Sequence, residues 1–250
     1  MKPLDEVIDE TLRVYSQTLP LTLVPAAIGA FVGGVPMAMV LGELPQPPTA
    51  ANIDWSMFGW AWGFQIVVSL VVQGMLLKTI AMQARNGVVL PAGEALQAAV
   101  AMLPAMLVAT LIYLVLTVAL SLLLLLPGIW FLIAAMFYAP AIALGGCDGL
   151  ASIQRSRALL RGAWWRTFGL FLLAALVAMI GYLLIATFVT PLADAAFGGG
   201  WTTEATLTTV VGALFTPLIN TLLVVLYFDY SARDGAPAAP AAPPPTQLAA

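Results

Sequence analysis

The chain has 250 residues, of which 62% are hydrophobic and 8% charged, and its mean hydropathy is +1.00. Soluble domains are roughly 45–50% apolar and about 25% charged, so this composition excludes an ordinary soluble globular fold. A net charge of −3 and a sequence pI of about 4.7 provide no strongly basic surface, which excludes nucleic acid as a partner.

Asp5, Glu6, Asp9 and Glu10 precede the first apolar run. A cleaved signal peptide opens with basic residues and has a short apolar core, so the stretch reads as mature protein. Val7–Leu19 is expected to lie in the membrane interface as an amphipathic lead-in. Apolar runs follow at 18–42 and 56–77. The segment from Ala95 to Cys147 has no formal charge and is too long for one span, because a spanning helix needs roughly 20 residues for about 30 Å of hydrocarbon. Pro127-Gly128 is the natural divider, since Pro cannot continue a helix and Gly supplies turn geometry. The predicted spans are therefore 100–126 and 128–147, then 167–190 and 207–228. Helices are required because each span must satisfy its own N–H and C=O groups in lipid. Nor do the runs alternate as barrel strands would. The fold class is all-α: a single polytopic domain over 1–235, followed by a Pro/Ala-rich tail at 236–250 that reads as a disordered cytoplasmic spacer.

Lys and Arg alternate between the connecting segments. Lys2 and Arg13 precede span one, Lys78 and Arg85 follow span two, Arg155, Arg157, Arg161 and Arg166 follow span four, and Arg233 follows span six. The intervening segments contain none. Basic residues concentrate in short cytoplasmic loops, so the pattern predicts six spans with both termini cytoplasmic. Tryptophans favour the headgroup level. On this map Trp55, Trp60 and Trp62 mark the outer end of span two, Trp130 that of span four, and Trp201 precedes span six outside. Trp164 and Trp165 precede span five inside.

A weak threefold repeat underlies the map. Asn86-Gly87, Asp148-Gly149 and Asp234-Gly235 each follow an even-numbered span. Pro91–Leu103 and Leu150–Arg166 are lead-ins matching Val7–Leu19, with Pro20, Pro104 and Gly162 at the joins. Three tandem hairpins result. Such repeats bracket substrate sites in transporters, yet duplication equally builds a plain structural bundle.

Candidate chemistry is sparse. The chain has no histidine and a single cysteine, Cys147. Histidine-based acid–base and nucleophile chemistry is thereby removed, as are an intrachain disulfide and multi-cysteine metal sites. No cofactor motif is present: Gly198-Gly199-Gly200 reads as an outer turn rather than a phosphate loop. Gln65, Gln73, Thr110, Thr117, Asn220 and Thr221 are among the mild polar groups within spans, and no Asp, Glu, Lys or Arg sits near a span centre. That argues against an energised transporter, which places ionisable groups there, and gives Gln73 and Asn220 the role of interhelical glue. Gly29/Gly33, Ala30/Gly34 and Gly59/Gly63 have spacings that permit close helix approach. Asp229 reads as a helix-end carboxylate or as a partner for a cytoplasmic arginine. Glu94 and Asp148 are the loop carboxylates that an intramembrane enzyme would have to use.

Ser152–Arg166 is the most distinctive stretch. On a helix Ile153, Leu160 and Trp164 form an apolar stripe, Arg157 and Arg161 run alongside it, and Arg155 and Arg166 fall on another face. Each basic residue near an anionic leaflet is worth about 1 kcal/mol. Arg155, Arg157, Arg161, Trp164, Trp165 and Arg166 are the candidate lipid-headgroup residues; no catalytic, cofactor or metal residues are assigned.

The stretches VIDETLRVYSQTLPLTL, LLLLLPGIWFLIAAMFYAPAIAL, RSRALLRGAWWRTFGL and LYFDYSAR occur in order over most of residues 7–233. Together they resemble the bacterial glycerophosphoryl diester phosphodiesterase membrane-domain family and the related YciC-like inner-membrane proteins. The resemblance implies six helices and a bacterial inner-membrane location. In that family the named activity belongs to a separate soluble domain with paired histidines and metal-binding carboxylates. This histidine-free chain does not inherit it. The expected function is a non-catalytic membrane module binding lipids or a membrane or cytoplasmic protein partner. The alternative is a passive permease for an amphipathic or lipid-like substrate.

Overall fold

The computed structural model describes residues 1–42 and 54–234, and its regular structure is entirely helical, with eight α-helices among the described residues. They are α1 (Leu4–Gly42), α2 (Trp55–Asn86), α3 (Ala92–Leu123), α4 (Leu125–Ala135), α5 (Tyr138–Gly145), α6 (Gly149–Leu159), α7 (Trp164–Phe197) and α8 (Trp201–Arg233). Six segments are long and apolar enough to cross a membrane: α1, α2, α3, α4 with α5, α7 and α8. The all-α, multi-pass expectation holds. The tail at 236–250 lies outside the described residues.

Local chemistry sets several helix ends. Asp54 caps α2 by accepting from the Ser56 and Met57 N–H groups at 3.0 and 3.2 Å. The Ser56 hydroxyl, then these backbone donors, hold its carboxyl below the usual carboxylate range. Gly87 closes the same helix in the left-handed region, at φ 62°, with its N–H on Gln83 O at 3.0 Å; glycine reaches that conformation without a Cβ penalty. Gly198, Gly199 and Gly200 all have positive φ and form the predicted turn between α7 and α8.

Three boundaries differ from the sequence expectation. The first two lead-ins are not separate helices. Val7–Leu19 is continuous with its span in α1, running through Pro20, and Pro91–Leu103 continues through Pro104 in α3. Both prolines are exposed, and in an apolar surrounding leaving the helix would strand more backbone groups than one internal proline does, whose cost is about 3 kcal/mol in an isolated helix. Next, the chain turns at Leu124, in extended conformation at φ −158° and ψ 133°, rather than at Pro127-Gly128. Pro127 falls in the first turn of α4, where its missing N–H costs nothing. Gly128 serves close approach: a Cβ there would stand 2.8 Å from the Ser121 backbone of α3. Lastly, the fourth span is broken at Met136–Phe137 into α4 and α5.

That break is closed from outside. Ser156 of α6 is fully buried, donates its hydroxyl to Ala134 O at 2.9 Å and accepts the Phe137 N–H at 3.0 Å. One side chain thus satisfies a donor and an acceptor at the interruption and seats α6 alongside α4 and α5.

The bundle packs on small residues. Gly29 and Gly33 of α1 face Val72 and Val68 of α2, while Gly34 faces Thr208 and Ala30 faces Gly212 of α8. Gly59 and Gly63 have nothing within 4 Å among the described residues, so their spacing makes no close contact here. Asn220 donates to Thr216 O of its own helix rather than across an interface. Leu76, Leu77, Ile80, Phe137, Leu226 and Tyr230 are fully buried near the joint of α2, α5 and α8. By contrast only 6% of the most apolar window of α7 is buried within the chain, leaving its surface to face lipid.

Replacing Ser156 with alanine strands the Phe137 N–H in a buried setting. The expected loss is about 1–3 kcal/mol, read as a lowered unfolding midpoint in detergent, while Ser16→Ala, at an exposed hydroxyl, is silent.

Candidate functional site

Burial divides α6 lengthwise. Ser152, Ile153, Ser156 and Leu159 are buried and Leu160 beyond it is also buried, while Arg157 and Arg161 are exposed. The chain then turns sharply through Gly162, at φ +75°, into α7. Because α6 folds back along α4 and α5, this turn arrives beside Trp130. Trp164 donates its indole N–H to Trp130 O at 3.1 Å. The Arg157 guanidinium lies over the Trp130 ring, 5.7 Å from its centroid. Trp130 therefore shares the level of Trp164 rather than marking the opposite end of its span, which corrects the sequence map. The packing that seats Ser156 against α4 brings them together.

These residues enclose a cavity of about 400 Å³, lined by Trp130, Ala134, Gln154, Arg157, Arg161 and Trp164 together with the turn backbone. Trp164 stacks on Phe168 with ring planes 6° apart and meets Trp165 edge-on at 4.7 Å. Trp165 is 78% exposed and also meets Phe168 edge-on.

The six predicted headgroup residues separate into two groups. Arg157, Arg161 and Trp164 line the cavity, and neither arginine has a carboxylate within 4.0 Å among the described residues. Trp165 packs against Trp164 and does not line the cavity. Arg155 and Arg166 are committed elsewhere. Arg155 pairs with Asp234 at 3.3 Å. Arg166 pairs with Asp229 at 3.0 Å and donates to Lys2 O at 2.6 Å, while the Lys2 N–H donates to the other Asp229 oxygen at 3.1 Å. The Asp229 side chain is only 6% exposed, so the helix-end carboxylate is a buried partner of arginine. Arg233 donates to Leu159 O at 2.7 Å, and Thr167 and Tyr230 share a hydrogen bond of 2.8 Å. The start of α7, the end of α8 and the N-terminal segment are thus tied at one node.

Other titratable groups stand apart from the cavity. Lys2 is held above its ordinary pKa chiefly by its bond to Glu10 at 2.6 Å. Burial, with help from Asp148, pushes the Cys147 thiol up against the opposing effect of Arg155. Glu94 lies in the first turn of α3 and Asp148 at the start of α6. Among the described residues no group of three His, Cys, Asp or Glu could hold a metal ion. Trp130 and Gln154 are the wall residues that sequence reasoning missed. Neither has a local signal, because the cavity forms only when α6 meets α4.

Residues 11–233 match the domain of unknown function DUF7847. The chain belongs to that family. No curated protein and no solved structure matches it. The expected phosphodiesterase membrane-domain family is not shown by the match, which supports one domain covering most of a polytopic chain.

The two kinds of arginine differ in what their loss costs. Asp229→Ala leaves Arg166 buried without its ion partner and is expected to destabilise by about 3 kcal/mol. Arg155→Ala, at a partly exposed pair, costs under about 1 kcal/mol. Unfolding midpoints in the same detergent compare the two.

Proposed function

We propose that this protein is a non-catalytic lipid-binding module of the bacterial inner membrane, with both termini cytoplasmic and an anionic headgroup held in the Arg157/Arg161 cavity. One observation carries the reading: two arginines without carboxylate partners among the described residues line a cavity walled by two indoles. Uncompensated guanidinium groups favour an anion, and their planar forks fit phosphate oxygens. Indole walls suit the boundary between headgroup and hydrocarbon. The apolar surface continuing from Trp165 along α7, with Leu172, Leu173 and Leu176 exposed, suits a ligand with an attached chain. A non-catalytic role is supported by the lack of histidine and by a cavity whose ionisable side chains are both arginines.

The orientation rests on the one-sided distribution of Lys and Arg. A green fluorescent reporter fused after Asp234 is expected to fluoresce and an alkaline phosphatase fusion at the same site to be inactive. The reverse pattern removes the orientation.

Binding is tested with the purified full chain and phosphatidylglycerol, by native mass spectrometry of retained lipid. Two basic groups at about 1 kcal/mol each correspond to roughly thirtyfold in affinity, so Arg157→Ala/Arg161→Ala is expected to lose most retained lipid. Arg155→Gln retains it. Equal retention by all three proteins sinks the proposal.

A further inference from the structure

The cavity contains more donors and more positive charge than an ordinary anionic phospholipid can use. At this end of the molecule Lys2, Arg155 and Arg166 are each bound to a carboxylate, and Arg233 to a carbonyl and Asp234. Arg157 and Arg161 alone line the cavity, and no acidic residue lines it with them. Gln154 adds a side-chain amide to the same wall. Trp164, which begins α7, also lines it, and the N-cap residue Ala163 supplies no side-chain acceptor to the first turn. A helix start carries roughly half a positive charge, so it reinforces the arginines.

A phosphodiester brings one negative charge and two free oxygens. A terminal phosphomonoester brings about −1.5 to −2 at neutral pH and three strong acceptor oxygens. Two guanidinium forks, each with several N–H donors, match the second far better. Resting on the lipid-binding reading above, we propose that the cavity selects a membrane lipid ending in a phosphomonoester over the phosphodiester lipids around it. The phosphate sits between Arg157 and Arg161, and the glycerol and acyl portion passes along the Trp130, Trp164 and Trp165 faces toward the exposed side of α7.

The absence of histidine makes this preference unusually readable. Among the lining residues only Arg157 and Arg161 ionise, and arginine stays charged throughout. α4 brings Trp130 and Ala134 to the cavity and α7 brings Trp164, none of them ionisable near neutral pH. Arg155, on α6, is paired with Asp234, and neither lines the cavity; nor do Cys147 and Asp148, which precede α6. A change in affinity between about pH 7.5 and 5.5 therefore reports the second ionisation of the ligand, near pH 6 for a phosphomonoester.

The test titrates the purified full chain with dioleoyl phosphatidic acid, dioleoyl phosphatidylglycerol and inorganic phosphate as separate probes. Phosphatidic acid is expected to bind about tenfold more tightly than phosphatidylglycerol at pH 7.5 and to lose most of that advantage by about pH 5.5 as it protonates. Arg157→Gln/Arg161→Gln abolishes the preference, and Arg157→Lys/Arg161→Lys, which keeps the charge, retains part of it. Equal binding of the two lipids at both pH values, still dependent on the arginines, overturns the phosphomonoester preference while leaving lipid binding intact. Binding of neither lipid that responds to the arginines overturns both. Inorganic phosphate competing as well as phosphatidic acid overturns the lipid source and points to a free phosphate.

Discussion

The organisation of the arginine cluster around α6 follows from one requirement: an interrupted helix in an apolar setting must have its freed backbone groups satisfied. The interruption at Met136–Phe137 creates the need, and the hydroxyl of Ser156 meets it on both the donor and the acceptor side. The consequence is positional. A side chain that must reach Ala134 O and Phe137 N–H fixes how deeply α6 sits and how it is rotated about its own axis. With Ser156 turned inward, Arg157 necessarily turns outward, and the residues that follow are delivered to Trp130.

Charge in this chain works in two ways that sequence position does not distinguish. Arg166 and Asp229, with the Lys2 backbone, form a clasp at the joint of α1, α7 and α8. It is nearly removed from water, and such a pair specifies how the hairpins meet more than it adds stability. Arg157 and Arg161 sit a few residues away on the same lead-in, yet they face an open cavity with no carboxylate partner among the described residues. Both groups are cationic, but only the second has coordination to spare for a ligand.

Glycine and proline illustrate how far local rules reach. Pro127-Gly128 carries a strong turn signal, yet the hairpin turns at Leu124, because proline is acceptable in a helix's first turn and the glycine is needed where α4 crosses Ser121. Gly29, Gly33 and Gly34 have the close-approach spacing and make close approaches; Gly59 and Gly63 have the same spacing and make none among the described residues. A spacing states what a helix face permits. Whether a neighbour takes the opportunity depends on helices far away in the chain. Asn220 is similar: it looked suited to an interhelical bond and instead turns to Thr216 O in its own helix.

The number of spans, their helical character and the alternation of the loops were legible in the sequence, because lipid imposes length, apolarity and backbone self-satisfaction one segment at a time. The buried face of Ser152–Leu159 was legible too, but not the turn through Gly162 that ends this helix and puts Trp164 and Arg166 on α7. Tertiary structure alone decided that Trp130 closes the cavity, that Asp229 lies buried beside Arg166, and that two of four arginines have no acidic partner among the described residues. These are meetings between residues tens of positions apart. They depend on how a broken helix is repaired and how hairpins pack, and neither leaves a periodicity or local spacing to read.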